Sequence, residues 1–243
     1  MKHIQDIWVK KWLVNKPYCY NSAHHHYNPL IDRLVRDLNR GQNRIIIIVG
    51  TPRSGKSWFS LWLMTYMNYC YFGKETTVKD IYWKLDDFLE ATKNPLNQKK
   101  FITLEEQGVE QYAKDFWKSD VMGFDKVTQI FGVDETNIII NLPYIFDLNK
   151  GTRLKGHMLL RAFRKSKNRV NVVTCIRRMN MTTEKAYYMP IDTWENVPSI
   201  YTINSELVNE YERVKREYNL SKKNELTKKK GGLQPTKIFA RLK

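Results

Sequence analysis

Ile45-Ile46-Ile47-Ile48-Val49 runs without a gap into Gly50-Thr51-Pro52-Arg53-Ser54-Gly55-Lys56-Ser57, and this stretch decides the fold. Five consecutive β-branched residues leave no polar side to turn to water. They predict a strand buried on both faces, as in a parallel sheet. GxxxxGKS directly after such a strand predicts a loop whose backbone N–H groups surround a phosphate. The helix that follows points its positive dipole end at the same anion. Gly50, Thr51, Pro52, Arg53, Ser54, Gly55, Lys56, Ser57 and Trp58 are therefore the expected nucleotide-binding residues. Lys56 is expected to reach the terminal phosphates of ATP, and the Ser57 hydroxyl to take a place on Mg²⁺.

Apolar strands and helices alternate on either side of this unit. Asn28-Pro29 opens a helix, with Asn as N-cap and Pro at the first helical position; Leu30, Ile31, Leu34, Val35 and Leu38 form its apolar stripe, and Gly41 ends it. Trp58 to Phe72 is uncharged but too short for a membrane span, so it reads as the interior helix after the phosphate loop. Val78 to Trp83 reads as a short strand, and Asp86 as the cap of a short helix closed by Pro95. Phe101-Ile-Thr-Leu104 and Asn137-Ile-Ile-Ile-Asn141 read as buried strands, with a helical spacing of Phe124, Val127, Ile130 and Phe131 between them. This order predicts an α/β fold, a P-loop NTPase core whose mainly parallel sheet is flanked by helices.

After Lys150 the period changes. Met158–Phe163 and Val170–Ile176 are extended runs around Arg164-Lys-Ser-Lys-Asn168, the pattern of a basic hairpin or ribbon. Ser205 to Asn219 reads as a helix, and Lys222 onward as a lysine-rich, mobile tail. The expected organisation is an N-terminal extension over 1–27, a P-loop ATPase core over 28–155, a basic β-ribbon or sheet extension completing the core over 156–204, and a C-terminal helix with a lysine-rich tail over 205–243.

Charge divides the chain in the same place. Residues 1–148 hold 19 Lys and Arg against 17 Asp and Glu; residues 149–243 hold 22 against 8. A near-neutral nucleotide half joined to a half of net charge +14 points to a polyanionic partner, DNA above all. Three scattered cysteines, Cys19, Cys70 and Cys175, include no CxxC pair and fit a reducing, cytoplasmic setting. His24-His25-His26 has no acidic or cysteine companions and reads as a surface turn. Met1–Asn15 lacks the pattern of a signal peptide.

A phosphate loop fixes binding, while hydrolysis also needs a carboxylate for the metal shell and a group that orients water. Glu105 and Glu106, at the end of the Phe101–Leu104 strand, supply both: Glu105 for the metal, Glu106 for the water. Asp134-Glu135 is the competing pair, placed before a strand instead of after one. Asn141 ends the next strand, where a polar side chain either senses the terminal phosphate or caps the turn at Pro143. Arg153 is a candidate arginine finger toward a neighbouring subunit, or one more surface cation.

The succession of GxxxxGKS, a helix, an acidic strand end, an apolar strand ending Asn141-Leu142-Pro143, and Asp147-Leu-Asn-Lys-Gly-Thr-Arg153 resembles the FtsK/HerA-type P-loop ATPases over roughly residues 40–160, particularly small versions carried by archaeal plasmids and viruses. That resemblance implies a ring-forming motor that moves or packages double-stranded DNA, with Lys56, Ser57, Glu105, Glu106 and Asn141 in the matching roles. Two other readings stay open on the residues alone. A P-loop kinase of a small molecule would have no need of +14 on its second half, and a nucleotide-gated DNA loader would need little turnover.

Overall fold

The computed structural model describes residues 29–105, 136–148, 150–166, 169–180, 182–183, 185–198 and 204–231. The chain divides into two compact units, residues 1–203 and 204–243. In the first, a seven-stranded sheet has the order β2-β3-β4-β1-β5-β6-β7. Its strands are β1 (Ile45–Val49), β2 (Ile81–Tyr82), β3 (Lys100–Leu104), β4 (Thr136–Leu142), β5 (Met158–Ser166), β6 (Arg169–Asn180) and β7 (Lys185–Pro198). The five from β2 to β5 are parallel neighbours, and β6 and β7 continue the sheet antiparallel. An α/β fold with a mainly parallel sheet flanked by helices is what the strand composition called for.

β1 is central, as a strand of five β-branched residues must be, and all five are buried. Ile45, Ile47 and Val49 share a cluster with Ile138, Ile140, Leu142, Ile102 and Leu104, closed by Leu85, Phe88 and Ala91 of helix α3 (Leu85–Lys93). The alternate residues face helix α2 (Lys56–Tyr66), where Ser60 Oγ lies 3.4 Å from Thr103 Oγ1. Each fully buried Ile contributes on the order of 2 kcal/mol, so a charge at Ile47 would break the sheet at its centre. α2 runs on into a turn of π-helix, Met67–Tyr71. There the Asn68 amide accepts from Phe101 N (2.6 Å) and donates to Phe101 O (3.0 Å), satisfying a stretch of β3 edge that the two-residue β2 is too short to cover. Stacking of Phe59 on Trp62 and the edge-on contact of Trp62 with Trp194 (5.6 Å) tie α2 to β7.

Helix α1 (Pro29–Asn39) buries Leu30 and Leu34, and Gly41 ends it at φ +69°. Its Asp37 accepts from Arg33 and from the buried Arg44, whose Nη2 is 2.8 Å away, at the entrance to β1. At this same end of the sheet, His157 Nδ1 accepts from Ile45 N (3.0 Å) and His157 N donates to Ile45 O (2.9 Å).

Three expectations need correction. Residues 78–80 form a 3₁₀ turn and not the start of a strand, because Asp80 accepts from Thr77 N (2.8 Å) and pairs with Lys100 (2.6 Å). The helix expected to stop at Asn219 continues as α5 (Ser205–Gly231), in the second unit. Lys and Glu are good helix formers, and Lys222 pairs with Glu225. The helix given Asp86 as its cap starts at Leu85 after Lys84, which leaves Asp86 within its first turn. The helical reading of Phe124 to Phe131 and the residues before Pro29 lie outside the described residues. No described helix is long and apolar enough to cross a membrane.

Candidate functional site

β1 delivers the chain to a loop at the carboxyl end of the parallel strands. Gly50 has no room for a side chain: a Cβ there would meet the Ala162 carbonyl oxygen at 2.5 Å and the Ser54 hydroxyl closer still. Ser54 N donates to Thr51 O (3.0 Å), which tightens the turn, and Arg53 adopts φ +66°. Gly55 is the N-cap of α2 at φ +90°, in the left-handed region that glycine enters without strain. It has no side chain to cap the helix, and no acid sits in the first turn, so the first amides of α2 keep their affinity for an outside anion. Thr51, Pro52 and Arg53 are exposed, Ser57 and Trp58 are half-buried, and Lys56 is buried.

The acidic partner arrives through strand order. β4 lies between β1 and β3, in a register that pairs Ile48 with Asn141 and Leu104 with Ile140. Glu105, the first residue past β3, is held by its N–H on Tyr82 O (2.8 Å) and is buried. Ser57 Oγ donates to Glu105 Oε2 (3.2 Å), and Asn141 Nδ2 donates to Glu105 Oε1 (3.0 Å). Asn141 is wholly buried, and its Oδ1 has no hydrogen-bond partner. A hydroxyl, a carboxylate and an orphaned amide oxygen thus converge below the phosphate loop.

That donor set suits a hard cation such as Mg²⁺, which prefers oxygen ligands and takes a few from protein and the rest from phosphate and water. Among the described residues there is no cluster of three His, Cys, Asp or Glu side chains that would hold a metal unaided. Ser57 and Glu105 fit a Mg²⁺ that comes with a nucleotide, and Asn141 fits a residue that orients Glu105.

Other sequence candidates fall elsewhere. Glu106 and the Asp134-Glu135 pair lie outside the described residues. Arg153, in helix α4 (Lys150–Lys155), places its guanidinium 5.0 Å from the centre of the exposed Phe146 ring. Among the described residues it makes no hydrogen bond or ion pair with Lys56, Glu105 or Asn141. Its carbonyl accepts from Tyr188 Oη (2.8 Å), and burial pushes that phenol up to about 12. Burial likewise raises the free Cys175 thiol, which makes it an inert core residue.

Sequence reasoning missed the floor of the loop. Val170, at the start of β6, meets Gly55: a Cβ on Gly55 would lie 3.5 Å from Val170 Cβ and Cγ1 and closer to Cγ2. The basic hairpin therefore begins where the phosphate loop ends. On its strands Arg161, Arg177 and Arg178 are exposed. Only the spacing of apolar residues in Val170–Val173 hinted that one side of the hairpin was buried.

These features give the chain a P-loop NTPase fold. No family model and no curated protein matches it. Among solved structures it is similar to the N-terminal domain of zonular occludens toxin from Neisseria meningitidis, at 14% identity over 66% of this chain and 96% of that one, with a TM-score of 0.42. A KaiC-like protein from Pyrococcus horikoshii gives 11% identity over 64% and 90%, with a TM-score of 0.36. The flagellar accessory protein FlaH from Methanocaldococcus jannaschii gives 15% over 70% and 80%, with a TM-score of 0.30.

Proposed function

We propose that this chain is a Mg²⁺-dependent ATPase that acts as a motor on double-stranded DNA, working as a homo-oligomeric ring. The observation that carries the ATPase reading is the Ser57–Glu105–Asn141 constellation beneath the phosphate loop. In this reading the loop amides and Lys56 hold the phosphates of ATP, and Ser57 and Glu105 hold the cation. Bound Mg²⁺ would neutralise charge on the phosphate oxygens. Asn141 fixes the rotamer of Glu105, Glu106 orients the attacking water and accepts its proton, and Arg153 reaches a neighbouring subunit's phosphates.

The DNA half of the proposal rests on charge. Net +14 over residues 149–243 and exposed arginines on β5 and β6 suit a phosphate backbone read without regard to sequence. The organisation expected from the sequence, a core to residue 155 completed by a ribbon to 204 and followed by a helical appendage, is part of this proposal.

The test is ATP hydrolysis by the full chain, with and without double-stranded DNA, over a salt series. Hydrolysis stimulated by DNA and lost at high salt is the expected result. Absence of any ATP turnover would remove the enzyme reading; turnover indifferent to DNA would remove the motor.

A further inference from the structure

We infer that Val170 is the contact through which the state of the phosphate loop reaches the β5–β6 ribbon; this rests on the nucleotide and DNA reading above. Two glycines of the loop lie directly on the ribbon. Gly50 sits against the Ala162 carbonyl of β5, and Gly55 against the side chain of Val170 on β6. The register places Ala162 opposite Val172 and Arg164 opposite Val170, and Ala162, Val170 and Val172 are all buried. The loop thus rests on the ladder of this hairpin, and Arg164 is the direct cross-strand partner of the residue that touches Gly55.

The contact can transmit a shift because of what it lacks. Neither glycine offers a side chain that would absorb movement. Val170 is buried and, as a β-branched residue in a strand, restricted in its rotamers, so displacement of the loop must move the β6 backbone instead. Ser54 Oγ, the atom crowding Gly50 from within the loop, is buried without a hydrogen-bond partner, so that hydroxyl does not pin the loop to β5. The ladder loses its regularity immediately beyond, between Arg164 and Ser166, so the two strands can shift there without breaking the sheet. A phosphate drawn into the loop amides would therefore shift the strands of the ribbon. By reciprocity, DNA on the ribbon would alter nucleotide affinity by the same factor.

The experiment compares DNA affinity with and without Mg²⁺ and a non-hydrolysable ATP analogue, each variant being referred to its own nucleotide-free value. Wild type is expected to show a change of about tenfold. Val170→Ala should shrink it to less than about twofold, while Val172→Ala, which loses a fully buried side chain on the same strand, should keep it. A Val170→Ala protein with the full wild-type factor, or a wild type that binds both ligands without coupling, overturns the inference. Hydrogen exchange on wild type provides an arm that needs neither variant nor DNA. The nucleotide analogue should raise protection of the Ala162–Arg164 and Val170–Val172 amides as well as those of the loop. Protection confined to the loop and α2 sinks this inference and leaves the ATPase standing, whereas no nucleotide binding at all sinks the functional reading itself.

Discussion

His157 gives the sharpest quantitative test of the fold. It sits at the amino ends of the parallel strands, with Nδ1 accepting from Ile45 N, so the bond requires the ring unprotonated at that nitrogen. Burial first, then the Arg44 and Arg177 charges, with Asp37 opposing them, lowers its pKa from 6.5 to about 4. A folded-state pKa below the unfolded one means that the unfolded chain binds the proton first as pH falls. Stability from this residue is therefore complete above pH 6.5 and is lost between 6.5 and 4, levelling off below. At about 1.4 kcal/mol per pH unit, the loss is about 2 kcal/mol by pH 5 and about 3 kcal/mol by pH 4. Urea unfolding of wild type and His157→Asn at half-unit steps from pH 7.5 to 4 would measure it. Asn keeps an acceptor near the Nδ1 position and cannot titrate, so the stability difference between the two proteins should shift by that amount across the window. Parallel pH profiles would show that His157 is not held neutral and that the contact with Ile45 is mispositioned.

Lys56→Ala should abolish ATP turnover in a protein that still folds, since the loop amides remain while the charge on the terminal phosphates is lost; a wild-type rate would end the nucleotide reading. Glu106→Gln should bind ATP yet hydrolyse it at least about a hundredfold more slowly, measured by single-turnover kinetics. If Glu135→Gln stops hydrolysis and Glu106→Gln does not, the water-orienting acid is in the other pair. Asn141→Ala should lower kcat more than nucleotide affinity, because it frees the Glu105 carboxylate without touching the loop; an unchanged kcat would leave Asn141 as a turn cap. Replacing Arg164, Lys165 and Lys167 together with Ala should flatten the salt dependence of DNA binding while basal hydrolysis persists, and unaltered binding would place the DNA contact elsewhere.

Local pattern carried a good part of the fold. Ile45–Val49, Phe101–Leu104 and Asn137–Asn141 were legible as buried strands because each is centred on apolar, mostly β-branched residues, and Gly50–Ser57 because its glycines and Gly55-Lys56-Ser57 stand at the spacing of a phosphate loop directly after a strand. β7 was not legible. Tyr187, Met189, Ile191 and Thr193 have the period of a strand, but Pro190 and Pro198 argue against one. Both prolines are tolerated because β7 is an edge strand, with the ladder shifted between Thr174 and Cys175 opposite Pro190. Residues 78–80 failed in the opposite direction, since apolar Val78 and Ile81 suggested a strand until the Asp80 hydrogen bonds turned the chain.

By itself the sequence determined that a phosphate loop follows a buried strand, that acids end a second strand, and that the positive charge lies in the second half. Those are properties of neighbouring residues, set by side-chain period, backbone freedom and composition. Only the tertiary structure decided that β4 inserts between β1 and β3, which brings Asn141 and Ser57 onto the two oxygens of Glu105. It alone decided that the basic hairpin lies against the loop, with Val170 on Gly55. Strand order and the packing of one hairpin on one loop depend on residues 36 to 115 positions apart, as Glu105–Asn141 and Gly55–Val170 are. No local period records such pairings, because they follow from which buried faces can close on one another.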